Sequence, residues 1–283
     1  MKPQRRFLGR PSRFWANVRL VSERLGYTQR GQGQIRVPTL RQTAEALRGL
    51  GLSTDHLIAG SGRPTEMGRL LVDYFAARVR KLNAHVAPNL MSSQEARTEF
   101  QALRKTLRPS CPIPMNKQKG KKRTPAYLTG IVNMLIEANA QGVPCDYDPQ
   151  RLTTITHHGA PLRTLARRVD GCFPRTVDPV ALWEVKEYYY TTTFGSRVAD
   201  GVYESLLDGM ELQELASNAG VKVRHYLMVD ARYAWWDCGK SYLCRIFDML
   251  HMGYVDEVLF GREVIERLPV LVRQWVRLVR KRQ

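Results

Sequence analysis

Cysteine is scarce in this chain of 283 residues, and its five cysteines (Cys111, Cys145, Cys172, Cys238, Cys244) form no CxxC pair and accompany no His-x3–5-His segment. A structural zinc site and a disulfide framework are therefore not expected. No apolar run reaches the length of a membrane span, and the basic N-terminus has no signal-peptide core. The expectation is a soluble protein of the cytoplasm with no membrane partner. There is no P-loop GKS/T, no GxSxG and no internal repeat, so the common sequence signals for nucleotide hydrolysis and serine hydrolysis are missing. Acid is also scarce in one half: residues 1–124 carry 25 Lys and Arg against 7 Asp and Glu, while residues 125–283 carry 19 of each. The whole formal charge of +18 thus belongs to the N-terminal part. A basic region joined to a neutral one suits polyanion binding by the first and chemistry by the second.

The basic region reads as helical. Phe14, Trp15, Val18, Val21 and Leu25 recur at helical spacing over 12–26, opened by Ser12. Thr39 is an N-cap for a helix over 39–51, Ser53 opens a short helix over 53–60, Pro64 opens a longer one to Asn83, and 92–107 forms another. Short helices with tight Gly turns are compatible with a helix-turn-helix module, in which Arg41 and Arg48 face a DNA groove or a solvated helix surface. Residues 108–124 (RPSCPIPMNKQKGKKRT) read as a linker: three prolines discourage regular structure, and Lys117, Lys119, Lys121, Lys122 and Arg123 form a run able to track phosphates. The expected division is 1–107 helical DNA-binding domain, 108–124 basic linker and 125–283 catalytic domain.

The second region carries the chemistry. Residues 126–141 are apolar at helical spacing, LARRVDG (165–171) reads as a strand ending in Asp-Gly, and CFPRTVDP (172–179) reads as the turn into the strand ALWEVKEYY (181–189). Period two puts Glu184 and Lys186 on one face of that strand and Trp183 and Val185 on the other. Asp170 then lies at a strand end opposite Glu184. Asp178 is the rival first acid, but it stands six residues before Glu184 and directly before Pro179, which leaves little room for a hairpin. Gly195-Ser196 offers a break and a cap for a helix through Leu215, where Ser196 and Arg197 are placed to meet a phosphate. A strand is expected at 221–231, a helix and short strand over 241–261, and an amphipathic helix over 263–280. His157 and His158 are adjacent on a predicted strand, point to opposite faces and have no metal partner at ligand spacing.

Asp170, thirteen intervening residues and then Glu184-Val185-Lys186 resemble the catalytic signature of the PD-(D/E)xK nuclease superfamily. Val169 stands where that family's literal Pro would be, and the resemblance covers about residues 125–260. It implies an α/β fold: a C-terminal αβββαβ restriction-endonuclease-like core with a mixed sheet, preceded here by the helical basic domain. It also implies Mg²⁺ held by Asp170 and Glu184, with Lys186 positioning or helping to deprotonate a water. Many relatives add a Glu from the helix before the first strand, and Glu137 is the acid on that helix. The expected activity is cleavage of double-stranded DNA by a homodimer resembling a type II restriction endonuclease. The alternatives are a repair or phage-defence nuclease of low specificity and a non-catalytic DNA-binding regulator.

Overall fold

Strand β4 (Ala181–Glu187) is buried along most of its length, and its sequence alternates two kinds of neighbour. Ala181, Trp183 and Val185 enter one apolar core, while Leu182 enters another on the opposite face. A strand apolar on both faces belongs in a sheet that is covered on both sides. The computed structural model, which describes residues 1–29, 33–116, 124–190 and 195–282, places it so. The sheet runs β3 (Gly171–Phe173), β4, β5 (Arg224–Asp230), β6 (Glu257–Phe260). β3 pairs antiparallel with β4, and β4–β5 and β5–β6 are parallel. The protein is thus α/β with a mixed four-stranded sheet. A separate hairpin, β1 (Thr154–His157) with β2 (Ala160–Thr164), precedes it.

Helices α1 (Ser12–Leu25), α2 (Leu40–Arg48), α3 (Glu66–Lys81), the short α4 (Ala87–Asn89) and α5 (Ser93–Leu107) form the first part of the chain. Thr39 caps α2 in a capping box with Gln42, and Ser92 does the same for α5 with Glu95. α3 runs into α4 through a wide turn at Leu82–Val86. The second part has α6 (Tyr127–Asn139), α7 (Ser196–Ala219) between β4 and β5, α8 (Lys240–Met252) between β5 and β6, and α9 (Glu263–Arg282). Nine residues of α6 are buried, so it is apolar nearly all round and lies inside a layer.

One face of the sheet carries α5, α6 and α9 over Trp183, Tyr226, Met228 and Leu259. Trp183 stacks on Trp275 of α9 with ring centroids 5.6 Å apart. On the other face Leu227, Val229, Val258 and Phe260 share a core with α8 and with Phe7, Phe14, Trp15, Val18 and Phe75 of the N-terminal region. Arg78 of α3, 1% exposed, joins Asp248 of α8 at 3.1 Å and anchors the basic helices to the sheet layer.

Several sequence expectations change here. Residues 53–60 form a single turn, because Thr65 N–H bonds to Leu57 C=O and Ala59 N–H to Arg63 C=O, which reverses the chain. The connection from α2 to α3 therefore spans residues 49–65, far longer than the turn of a helix-turn-helix. The strand expected over 165–171 begins only at Gly171, since the N–H of Ala166 is spent on Glu211 of α7 and not on a ladder. Cys172 and Phe173, expected in the turn, are the strand. Residues 108–115, expected as linker, are tied to α6: Asn133 donates to the Pro112 carbonyl and Ser110 N–H donates to Glu137. Among the described residues no helix is long and apolar enough to cross a membrane.

Candidate active site

The antiparallel register that pairs Gly171 with Trp183 continues to Asp170 and Glu184. The Asp170 N–H donates to Glu184 Oε1 at 3.1 Å, and Asp170 Oδ2 accepts from Val185 N–H at 2.8 Å. The register is locked by Gly171, where a Cβ would fall 2.2 Å from the Trp183 ring. Two residues on, Lys186 lies on the Glu184 face, its Nζ 2.6 Å from Glu184 Oε2. Helix α7 crosses this face closely, because a Cβ on Gly201 would meet Tyr188 Oη at 2.6 Å and Lys186 Cδ at 3.1 Å.

That approach brings in three groups the sequence reading did not single out. Glu204 and Asp208, one helical turn apart on α7, face the strand. Glu204 Oε2 accepts from Lys186 Nζ at 2.9 Å. Arg167, from the loop before β3, reaches Glu184 Oε1 at 2.9 Å, Asp208 Oδ2 at 2.6 Å and Glu204 Oε2 at 3.3 Å. A signal for them was present. Glu204, Asp208 and Glu211 recur with helical period, and Arg163 and Arg167 stand four apart; Arg163 pairs with Glu211 and Glu214.

Glu184 is 0% exposed, Arg167 22% and Glu204 42%, so the cluster opens to solvent on the α7 side. Burial opposes charge on Glu184, yet Lys186 and Arg167 hold its carboxyl below the ordinary range. Burial likewise opposes charge on Lys186, but Glu184 and then Asp170 hold its ammonium above the ordinary value. Lys186 is therefore a fixed positive charge and not a base at neutral pH. Asp208 behaves differently: burial, reinforced by Glu184, pushes it up to about 7 against the pull of Arg167. With all four carboxyls ionised against two cations the formal charge would be −2, and this excess of acid adds to burial in keeping Asp208 from ionising. Nearby on β5, buried His225 donates from Nδ1 to the Tyr254 carbonyl at 2.8 Å, and its Nε2 has no partner. Burial holds its pKa below the ordinary value.

A divalent cation is implied by the nuclease resemblance, and the donor set fits it in kind. The oxygens are hard carboxylates, the charge excess equals one divalent ion, and buried Asp208 Oδ1 has no hydrogen-bond partner. Among the described residues no group of three or more His, Cys, Asp or Glu already stands at metal-holding spacing. Arg167 accounts for this, since it draws Glu184 and Asp208 around its own guanidinium.

Other expected site residues lie elsewhere. Glu137 is bound to Ser110 by its N–H and hydroxyl, on the helix that covers the opposite face of the sheet, so it does not join Glu184. Asp178 accepts from Thr156 N–H and Oγ1, both at 2.7 Å, and braces the β1–β2 hairpin. Arg41 is 89% exposed and paired with Glu45, and exposed Arg48 donates to Thr54 Oγ1. Arg197 is exposed in the first turn of α7, which Ser196 opens; the Ser196 side chain lies outside the described part. Lys117, Lys119, Lys121, Lys122 and Arg123 also lie outside the described residues.

Residues 91–275 match a family described as a domain of unknown function, DUF7687, and residues 1–85 match a second domain of unknown function, DUF7690. The chain belongs to the DUF7687 family. Its match takes in the whole mixed sheet and the Asp170–Glu184–Lys186 cluster, together with α5, which packs on α6. Residues 86–90, which include α4, separate the two matched regions. No curated protein and no solved structure matches the chain.

Proposed function

We propose that this chain is a Mg²⁺-dependent endonuclease acting on double-stranded DNA, in the manner of a type II restriction endonuclease of the PD-(D/E)xK kind. The observation that carries the reading is the placement of Asp170 across an antiparallel pair from Glu184, with Lys186 on the same face. The order helix, antiparallel pair, crossing helix, parallel strand supports it, as does a basic surplus confined to the first 124 residues. Asp170, Glu184 and Asp208 are the residues that would hold the cation. When bound, such an ion polarises a phosphoryl group and lowers the pKa of a coordinated water.

The chain's own residues do the rest. Lys186, kept protonated by Glu184 and Asp170, presents positive charge to the oxygens on which negative charge develops. Glu204 holds that ammonium from the α7 side and fixes its direction. Arg167, once one of its carboxylates is taken by a cation, has donors free for a phosphate oxygen. Cutting both strands calls for two sites, and hence a homodimer.

Arg167 also favours a second reading, in which Glu184 and Asp208 stay paired with the chain's own cations and the protein is a DNA-binding regulator without hydrolytic activity. Plasmid DNA with Mg²⁺ separates the two. The unmodified protein should cleave, and Lys186→Ala and Asp170→Ala should each lose at least about 100-fold in rate. Cleavage persisting in both variants removes the proposed site, and binding without cleavage by the unmodified protein supports the regulator. Discrete fragments point to sequence-specific restriction and a smear to a nuclease of low specificity.

A further inference from the structure

A concave surface of about 520 Å³ lies between α5 and the start of α6, away from the Glu184 cluster, and is lined by Arg97, Arg104, Lys105, Phe100, Thr124 and Tyr127. It sits on the sheet face opposite to Glu184, because α5 and α6 both pack over Trp183. The three cations are exposed, and among the described residues none of them makes a salt bridge. Acid is present on the same helix but is directed elsewhere: Glu95 and Glu99 reach Arg262, in the turn between β6 and α9, at 2.7 and 3.8 Å. α5 thus separates its charges by flank, with acids spent on Arg262 and bases left over the groove. Like charges gathered on a concave surface repel one another and concentrate anions.

The spacing narrows the ligand. Arg97 and Arg104 are seven residues apart, which is two helical turns and about 10 Å along the axis. A single phosphate does not span that distance, whereas successive charges of a polyanion do. The floor is formed by Phe100 and Tyr127, both almost fully buried, so the groove has an apolar base beneath a cationic rim. A row of cations along such a groove suits the successive charges of a sugar–phosphate backbone. We infer that the α5–α6 groove binds the phosphate backbone of a nucleic-acid strand through Arg97, Arg104 and Lys105. This is a second contact surface, separate from the Glu184 cluster, and it does not depend on hydrolysis there.

The test is binding of a fluorescently labelled oligonucleotide, single-stranded and duplex, followed by anisotropy in EDTA over a range of salt concentrations. The protein is the full chain and its triple variant Arg97→Ala/Arg104→Ala/Lys105→Ala. All three positions are exposed, so the variant should unfold at nearly the same denaturant concentration as the unmodified chain. Each phosphate contact contributes about 0.7–0.9 to the slope of log K against log salt. The triple variant should therefore bind more weakly at low salt, with a slope shallower by about 2–3. An unchanged affinity and slope would overturn the assignment. So would anionic phospholipid vesicles or inorganic phosphate binding as tightly as the oligonucleotide with the same dependence on these residues. Arg277→Ala/Arg280→Ala, which removes two exposed cations of α9 outside the groove, should bind as the unmodified chain does; an equal loss in that variant would overturn the assignment by making the effect one of overall charge. Because EDTA prevents metal-dependent cleavage, the outcome is independent of whether the chain is a nuclease.

Discussion

Replacing Arg167 by Met tests the reading of the buried cluster most directly. The guanidinium bonds to Glu184, which is fully buried, to Asp208, also fully buried, and to Glu204. Its loss leaves Asp208 with no cation and Glu184 with Lys186 alone. Removing one partner of a buried ion pair costs about 3–5 kcal/mol, because the remaining charge is buried without compensation. Arg167 is 22% exposed, which places the expected loss near the lower end, about 3 kcal/mol. The loss should be larger at pH 8 than at pH 6, since Asp208, pushed up to about 7, is mostly protonated at the lower pH and ionised at the higher. If the carboxylates take a divalent cation, Mg²⁺ should restore what the guanidinium supplied. At 100 times Kd the gain is about 2.7 kcal/mol, and it should exceed the gain seen in the unmodified chain, where Arg167 competes for the same oxygens. Urea unfolding followed by tryptophan fluorescence suits the measurement, because Trp183, Trp235 and Trp275 are all buried. A variant as stable as the unmodified chain in EDTA would refute the energetic role of Arg167. Equal insensitivity to Mg²⁺ in both proteins would refute the carboxylates as a cation site.

Two further predictions follow from buried charge elsewhere. Glu187 accepts from Thr129 N–H at the start of α6, and burial pushes its carboxyl up from the ordinary 4.5 to about 7. A raised carboxyl favours the folded state below its unfolded pKa, and that contribution is lost as pH climbs through about 7. At about 1.4 kcal/mol per pH unit the full difference is about 3 kcal/mol, so Glu187→Gln should flatten the decline in stability between pH 5 and pH 8 by up to that amount in urea titrations; an equally steep decline in the variant would sink the idea. Asp248→Ala should cost about 3–5 kcal/mol by leaving Arg78 buried and unpaired, and the double variant Arg78→Met/Asp248→Leu should recover most of it, as read from denaturant midpoints.

What the sequence by itself determined was local. Alternation in ALWEVKE placed Glu184 and Lys186 on one strand face and Trp183 on the other, because side-chain direction in a strand depends only on the backbone period. Thr39 as a helix cap was equally legible, since a cap closes within a few residues. The position of Asp170 opposite Glu184 was legible because one short connection joins it to β4. Tertiary structure decided the rest. Ala166, in a segment that reads as a strand, gives its N–H to Glu211, an acid forty-five residues later, and β3 starts only at Gly171. Glu137 has the right residue type on the right helix, yet that helix covers the opposite face of the sheet. Arg167, Glu204 and Asp208 meet Glu184 only because α7 crosses β4 at Gly201, close enough that a Cβ would not fit there. Periodicity says which way a side chain points but not what it meets, and the charge balance of this cluster is set by what its members meet.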